Sequence, residues 1–189
     1  VDGYVDDLLA FDPQVVGFSL FVWSMQCLIA VARRVKQRLP ECTIVFGGPS
    51  ARPPVMDLAP YRNAIDYVDA VVTREGEETF CDIILAMGSK PSTQSSFDAL
   101  SQVPGLDLPT PLGWKNTGFR PPPMNLDDIA SPYQMGLMSY QAVGYLESFR
   151  GCPMSCTFCE WGAKDISKGC FSEEYLTRDV INFIVNVTI

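Results

Sequence analysis

The sequence contains no histidine. Within these 189 residues, this absence excludes a catalytic triad built on histidine, a histidine ligand to zinc and a histidine general base. Long apolar runs are also missing, because no stretch approaches the roughly 20 residues that cross a bilayer. The sequence therefore predicts chemistry carried by other side chains, in a protein without a membrane partner.

Basic residues are scarce as well: 14 Lys and Arg stand against 22 Asp and Glu, which gives a net charge of −8. Nucleic-acid backbones bind to clustered positive charge, so we expect no nucleic-acid partner. Hydrophobic residues make up 47% of the chain, which is enough for a packed core. The chain begins at Val1 rather than Met and ends in an apolar run, and we expect it to be incomplete at both ends.

The seven cysteines show no pattern of a disulfide framework, and three of them lie close together in the sequence. Tightly spaced thiols of this kind favour metal binding in a reducing compartment over disulfide bonds in a secreted domain. We therefore expect a cytoplasmic protein.

Apolar runs and helical periodicity alternate along the first 89 residues. Three short runs rich in β-branched residues predict strands, and two segments with apolar residues every three or four positions predict helices. In chain order these are a strand over 15–20, a helix over 24–39, strands over 42–46 and 67–72, and a helix over 75–87. Connections long enough for crossovers indicate a mostly parallel sheet with helices on its faces. The sequence predicts a flavodoxin-like (Rossmann-like) α/β domain over residues 1–89.

The composition changes after this domain. Residues 90–142 are rich in proline and polar residues, which predicts a linker with little regular structure between two domains. A new apolar strand is predicted over 143–149, followed by a cysteine-rich loop and a helix that Ser172 caps. We therefore divide the chain into residues 1–89, a proline-rich linker over 90–142, and a second domain that begins within 143–189.

The cysteine loop carries the most specific signal in the sequence. Cys152, Cys156 and Cys159 have the spacing C-x3-C-x2-C, directly after the predicted strand. Three thiolates in one short loop can bind three corners of an iron–sulfur cubane and leave the fourth iron open. A zinc site is the competing interpretation, with Cys170 as a possible fourth ligand.

The loop resembles the signature of the radical S-adenosylmethionine (SAM) superfamily, C-x3-C-x-aromatic-C, with Phe158 at the aromatic position. The resemblance implies a 4Fe–4S cluster on the three cysteines and SAM bound to the open iron. It also implies that residues 143–189 are the first β/α unit of a partial (β/α) barrel. Phe158 would lie near the adenine of SAM, although simple packing of the loop remains an alternative for this side chain.

The layout of the whole chain is similar to that of cobalamin-binding radical SAM proteins. The matching segments are Val16-Gly17-Phe18-Ser19, Ile44 to Pro49, Val71 to Glu78 and, in the linker, Leu126 to Tyr133. The histidine motif D-x-H-x-x-G, which ligates cobalt in methionine-synthase-type domains, is absent from these residues. Either that motif lies upstream, or the cobalt has no histidine ligand.

The resemblance implies that cobalamin contacts the loops that follow the predicted strands, where ligands of open α/β sheets bind. Its expected contacts are Ser19, Gly47, Gly48, Glu75, Gly76 and Glu77. The glycines would let a bulky ligand approach the backbone closely. A plain strand-ending turn remains the alternative for the glycine pair, and favourable charge near a helix start remains the alternative for the glutamates.

The reaction that the resemblance implies is methyl transfer to an unactivated carbon, with methylcobalamin as the donor and a deoxyadenosyl radical that removes hydrogen from the substrate. Radical ring closure or rearrangement without methyl transfer is a second interpretation. A truncated, non-catalytic fragment that holds a cluster or zinc is a third. The expected partners are a small-molecule or peptide substrate and an electron donor such as flavodoxin or ferredoxin. No catalytic side chain is assigned, and we expect the fragment by itself to be inactive because its barrel would be incomplete.

Overall fold

A computed structural model describes residues 1–89, 95–138, 144–154, 156–157, 159 and 168–187. The chain divides into two compact units, Val1–Arg120 and Pro121–Ile189. Each unit is described below by itself.

The first unit is built on a five-stranded sheet in which the strands lie in sequence order. Its strands are β1 (Val15–Ser19), β2 (Thr43–Gly47), β3 (Ala70–Val72), β4 (Leu106–Thr110) and β5 (Gly113–Asn116). The first three strands are parallel, and β4 and β5 form an antiparallel hairpin on the edge of β3. The carboxyl ends of β1, β2 and β3 therefore meet at one edge of the sheet, which is where ligands of such sheets bind.

Helices cover both faces of this sheet, so that its apolar residues are buried on each side. The helices of the first unit are α1 (Asp2–Phe11), α2 (Met25–Arg38), α3 (Pro53–Met56), α4 (Glu77–Ser89) and α5 (Ser96–Leu100), with a 3-10 turn at Arg62–Asp66. On one face, Ile44, Phe46 and Val71 pack in a buried cluster with residues of α2 and α3. On the other face, the neighbouring positions of the same strands pack with α4 and α5, as Val45 and Val72 do.

The α/β class and the parallel arrangement of the first three strands confirm the predicted flavodoxin-like fold. The structure differs from the prediction in the span 90–142. Within this predicted linker, β4 and β5 extend the sheet, and the chain divides at Arg120 rather than at residue 89. The hairpin is part of the first unit because Leu106 and Leu108 are fully buried in the core on the α4 side.

In its described residues, the second unit contains one long helix, α6 (Glu173–Val187), and a pair of two-residue strands, β6 (Phe149–Arg150) and β7 (Gly169–Cys170). Ser172 caps α6 as predicted, because its hydroxyl accepts a hydrogen bond from the backbone of Tyr175 at 3.1 Å. The predicted strand over 143–149 is shorter in the described residues, where only its last residue lies in β6.

Residues before the second-unit strands pack against α6 and contribute to its small core. Leu126, Phe171 and Tyr175 form a buried cluster, with Ile129 and Leu176 against it. The Tyr175 hydroxyl donates to the carbonyl of Ile129 at 2.8 Å, and the Gln134 amide donates to Asp179 at 2.7 Å. Part of the predicted linker is thus an ordered component of this unit.

No helix in the part of the chain that the structure describes is both long and apolar enough to cross a membrane.

Candidate functional site

The register of the parallel strands aligns the predicted ligand residues at the carboxyl edge of the sheet. Ser19, the last residue of β1, pairs with Gly47, the last residue of β2. Phe46 pairs with Val71, which places Val72 beside Gly47. The loops after β1, β2 and β3 therefore leave the sheet at the same level.

One face of this edge is lined by residues with little or no side chain. Val16 and Phe18 of β1 are buried on the α2 side, whereas Gly17 and Ser19 are exposed on the other side. Gly17 lies directly against α4, because a Cβ added to Gly17 would be 2.9 Å from the ring of Phe80. We call Gly17, Ser19 and Gly47 the glycine–serine strip. The strip lies on the same face of the sheet as α4.

The two glycines after β2 have different roles in the structure. A Cβ added at Gly47 would meet only the Val72 Cβ, at 3.9 Å, so the space above Gly47 is open. Gly48 has φ of +87°, and a Cβ added there would lie 2.9 Å from the backbone of Leu20 and from the Ser19 hydroxyl. Gly47 therefore leaves room for a ligand to approach the backbone closely. Gly48 is glycine for a different reason, because the turn after β2 needs a backbone conformation that glycine adopts readily.

Hydrogen bonds join the first two loops. The Leu20 amide donates to the carbonyl of Gly47 at 2.7 Å, and the Ser50 amide donates to the carbonyl of Leu20 at 3.0 Å. These hydrogen bonds fix the loop after β1 against the loop after β2.

The third loop contains the predicted residues Glu75, Gly76 and Glu77. Glu77 begins α4, and Glu75 and Gly76 are half-buried just before it. A Cβ added at Gly76 would lie 4.0 Å from the nearest atom, a methyl group of Val72, so this position can also be approached closely. The charge of Glu77 stabilises the start of its own helix, which is sufficient reason for a glutamate there.

Two exposed apolar side chains on the loop after β1 were not among the ligand contacts predicted from the sequence. Val22 and Trp23 are 76% and 78% exposed, and the Trp23 ring stacks on Phe21 with 4.9 Å between centroids. Exposed aromatic side chains in a loop after a parallel strand offer a flat surface to a ligand. The sequence signal was available, because Trp23 follows a predicted strand within four residues of Ser19.

The predicted cluster cysteines lie in the second unit. Cys152 is half-buried, Cys156 and Cys159 are exposed, and all three are free thiols. The Cys159 amide donates to the carbonyl of Cys156 at 3.1 Å, which makes a turn between these two cysteines. Among the residues that the structure describes, no three Cys, Asp or Glu side chains are arranged as a metal site. Phe158 lies outside the described residues.

The donor set nevertheless fits an iron–sulfur cluster chemically, since three free thiols in a short exposed loop can become thiolate ligands. Cys170, the possible fourth ligand of a zinc site, lies on β7 opposite Phe149 and is also exposed and free. Cys170 thus lies on β7, which pairs with β6, the strand that leads into the cysteine loop.

The first unit is an α/β domain in which the loops after β1, β2 and β3 meet at one edge of the sheet. Residues 2–84 match the protein family described as "B12 binding domain". The match covers α1 to most of α4, including all three loops at the carboxyl edge, and it supports cobalamin binding by this unit.

Curated relatives extend the similarity beyond the first unit. The chain is 30% identical over 169 residues to a protein of Streptantibioticus cattleyicolor named "2-(S-pantetheinyl)-carbapenam-3-carboxylate methyltransferase", with 82% of this chain and 23% of that protein covered. It is 30% identical over 168 residues to the "Cobalamin-dependent radical SAM methyltransferase TokK" of Streptomyces tokunonensis, with the same two shares covered. It is 28% identical over 190 residues to the "Hopanoid C-3 methylase" of Methylococcus capsulatus, with 95% of this chain and 35% of that protein covered.

The chain spans about a quarter to a third of the length of these relatives. A match over 82% of the chain necessarily runs past Arg120 into the second unit. The relatives are named as methyltransferases or a methylase.

Proposed function

We propose that this chain is part of a cobalamin-dependent radical SAM methyltransferase that acts on an unactivated carbon. The observation that carries the proposal is the open space above Gly47, at the carboxyl edge of a domain that matches the B12 binding domain. The similarity to a relative named as a cobalamin-dependent radical SAM methyltransferase supports the same reaction class.

The first unit would hold cobalamin along the glycine–serine strip. Ser19 and Gly47 would lie beneath the ligand, and Gly76 would allow it to approach the start of α4, whose backbone amides suit polar groups. Gly48 would shape the loop, and Glu75 and Glu77 would lie at the rim of the site. Bound cobalamin would supply a cobalt centre that carries the methyl group, and the protein would position it.

The second unit would hold a 4Fe–4S cluster on Cys152, Cys156 and Cys159. The cluster would supply the electron that cleaves SAM, and its open iron would bind the amino and carboxylate groups of SAM. Phe158 would contact the adenine. The free state of the three thiols and their spacing support this assignment.

The partners proposed for the complete enzyme are a small-molecule or peptide substrate and an electron donor such as flavodoxin or ferredoxin, in the reducing cytoplasm. The net charge of −8 supports the absence of a nucleic-acid partner. A membrane partner is likewise not proposed.

The decisive experiment uses the protein expressed from its complete open reading frame, reconstituted anaerobically with iron, sulfide and hydroxocobalamin. SAM and dithionite are added, and the nucleoside products are separated by chromatography. We expect both 5′-deoxyadenosine and S-adenosylhomocysteine, because radical formation releases the first product and methylation of cobalamin releases the second.

The alternatives give different products in this experiment. Deoxyadenosine without S-adenosylhomocysteine would favour radical ring closure or rearrangement. The absence of both products, together with stoichiometric zinc in place of iron, would favour a non-catalytic zinc protein and contradict the proposal. The matched control is the Cys152→Ala variant, which should yield neither product.

A further inference from the structure

The residues that lead into Cys152 are held in place by the hydroxyl group of Tyr133. We call residues 144–150 the approach segment. The Tyr133 hydroxyl donates to the carbonyl of Tyr145 at 2.8 Å and accepts from the Tyr145 amide at 3.0 Å. A residue of a neighbouring antiparallel strand would make the same two hydrogen bonds with this backbone. One side chain thus replaces a strand at Tyr145, seven positions before Cys152.

The Tyr133 side chain belongs to a turn that is bonded to α6. The Ser131 hydroxyl accepts from the amides of Tyr133 and Gln134, at 3.2 and 3.3 Å. The Gln134 side chain donates to Asp179 of α6 at 2.7 Å and to the carbonyl of Tyr175 at 3.3 Å. Tyr133 is only 8% exposed, so water competes little for the hydrogen bonds of its hydroxyl. The turn therefore links the approach segment to the helix.

The approach segment also contacts α6 directly. A Cβ added to Gly144 would lie 2.9 Å from the ring of Phe183, so the backbone at Gly144 runs close to this ring. The Phe183 ring in turn meets the ring of Tyr133 edge to face, with 5.7 Å between centroids. The beginning of the approach segment therefore has a defined position on the helix.

Backbone hydrogen bonds hold the end of the approach segment. The Phe171 amide donates to the carbonyl of Ser148 at 3.2 Å, and β6 pairs with β7. Cys152 follows β6 by two positions and is half-buried, whereas Cys156 and Cys159 are exposed. The position of Cys152 therefore depends on a short segment that is fastened at both ends.

We propose that Tyr133 is a positioning residue for the iron–sulfur cluster, which acts through the approach segment to fix Cys152 relative to Cys156 and Cys159. The inference rests on the proposed function, because it concerns the cluster assigned to these thiols. A cubane binds its thiolates at set separations, so displacement of Cys152 would weaken its attachment. Tyr133 lies in the span that the sequence predicts as a linker, and the proposal makes this span part of the cluster site.

The test uses the Tyr133→Phe variant of the protein from its complete open reading frame, reconstituted anaerobically with iron and sulfide. This change keeps the ring against Phe183 and removes only the hydroxyl, so the amide and carbonyl of Tyr145 lose their partner. Iron should bind at the wild-type stoichiometry. Its transfer to excess EDTA should be about threefold to tenfold faster, which corresponds to the net strength of one or two hydrogen bonds.

The reduction potential of the cluster separates positioning from stability. It is measured by redox titration with electron paramagnetic resonance as the readout. Movement of the approach segment would expose Cys152 to water, which favours the more highly charged, reduced cluster. The potential of Tyr133→Phe should therefore be less negative than that of the wild type. A loss of folding stability that left the cluster in place would not change the potential.

Tyr175→Phe is the matched control. Tyr175 is also buried, and its hydroxyl donates to the carbonyl of Ile129 at 2.8 Å, outside the approach segment. This variant loses a hydrogen bond of the same length from the same unit. Its rate of iron transfer should change by less than about twofold, with the potential unchanged. Hydrogen exchange over residues 144–150 should be faster in Tyr133→Phe and unchanged in Tyr175→Phe.

The outcomes are distinguishable. Wild-type rates and potential in Tyr133→Phe would overturn the positioning role while the proposed cluster stands. Equal changes in Tyr133→Phe and Tyr175→Phe would also overturn it, because they would indicate a general loss of stability. Failure of Tyr133→Phe to fold, read by circular dichroism, would assign the hydroxyl to stability alone. Wild-type protein that binds zinc and no iron would overturn the proposed function, and this inference with it.

Discussion

The two units of the chain present their proposed ligand residues in different ways. In the first unit, Ser19 and Gly47 end adjacent parallel strands and are aligned by backbone hydrogen bonds. In the second unit, Cys152, Cys156 and Cys159 lie on a loop that follows a two-residue strand. The first unit has extensive cores on both faces of its sheet, whereas the described residues of the second unit form one buried cluster of three residues.

The difference shows two routes to a cofactor site. A site at the edge of a packed sheet has its shape before the ligand arrives, because the register that buries the core also positions the strand ends. At a site of thiolates, the metal itself supplies part of the free energy that organises the ligands. We therefore expect cofactor binding to change the second unit far more than the first.

The largest expected effect is loss of the cluster from the second unit. Replacing Cys152, Cys156 or Cys159 by Ala should reduce bound iron from about four per chain to almost none, because three thiolates are the minimum for the cubane. Iron and sulfide analysis after anaerobic reconstitution gives the counts. Hydrogen exchange should show lower protection in the second unit of these variants, while β1 to β3 keep theirs because they draw their partners from the first unit.

Cys27 and Cys81, both exposed free thiols of the first unit, provide the controls. Their Ala variants should retain the full iron content. Replacing Cys170 by Ala separates the two interpretations of the loop, because a radical SAM cluster should survive the change whereas a four-cysteine zinc site should not.

A smaller effect is expected in the first unit when Gly48 is replaced by Ala. Its φ of +87° and the 2.9 Å contact of an added Cβ with Leu20 both oppose a side chain. The backbone conformation alone costs about 1–3 kcal/mol, and the contact should add to the loss of unfolding free energy. Urea denaturation followed by tryptophan fluorescence measures this loss.

Gly113 separates these two causes. It has φ of +115°, and a Cβ added there would meet no atom within 4 Å, so that Gly113→Ala reports the backbone conformation alone. We expect a smaller loss for Gly113→Ala than for Gly48→Ala. An equal loss would show that the contact with Leu20 relaxes freely and that the loops are less rigid than described.

The smallest effect concerns the acid stability of the second unit. Hydrogen bonds from the Ser172 side chain and backbone lower the pKa of Asp127, and its carboxylate accepts from the Ser172 amide at 2.9 Å. The pKa is lowered on folding, so this stabilisation is present above about pH 4 and is lost as the pH falls through the lowered pKa.

The Asp127→Asn variant tests this small contribution of the Asp127 charge to the stability of the second unit. Unfolding midpoints of wild type and variant, measured from about pH 6 to about pH 3, should converge as the pH falls. Asp128→Asn, which changes the neighbouring carboxylate, is the control. A constant difference between wild type and Asp127→Asn across this range would show that the carboxylate charge does not stabilise the start of α6.

The sequence predicted the first three strands and two main helices because their burial is encoded locally, in apolar runs and helical periodicity. It did not predict the hairpin, since Pro109 lies inside β4 and proline normally argues against a strand. The structure explains the exception: β3 pairs only with Leu106 and Asp107, so Pro109 lies beyond the end of β3 and need not donate to it. Whether Pro109 has a partner on β3 depends on the lengths of β3 and β4, which are far apart in the sequence.

The candidate site was predictable in part for the same reason. Residues at strand ends could be identified from the pattern, and the structure aligns Ser19 with Gly47 as expected for parallel strands. The different roles of Gly47 and Gly48 could not be predicted, because the close approach of Gly48 to Leu20 depends on how two loops meet. The ion pairs of Arg120 with Glu78 and Asp82 join residues about forty positions apart and leave no local signal.

The affinity of the Gly47→Val variant for hydroxocobalamin tests most directly whether cobalamin lies on the glycine–serine strip. The space above Gly47 is open apart from Val72, so valine should fit the folded strand and leave the free energy of unfolding within about 0.5 kcal/mol of wild type. Its methyl groups would occupy the position of the ligand, which should raise the dissociation constant at least about tenfold. An unchanged dissociation constant in the folded variant would contradict the account and place the cofactor elsewhere.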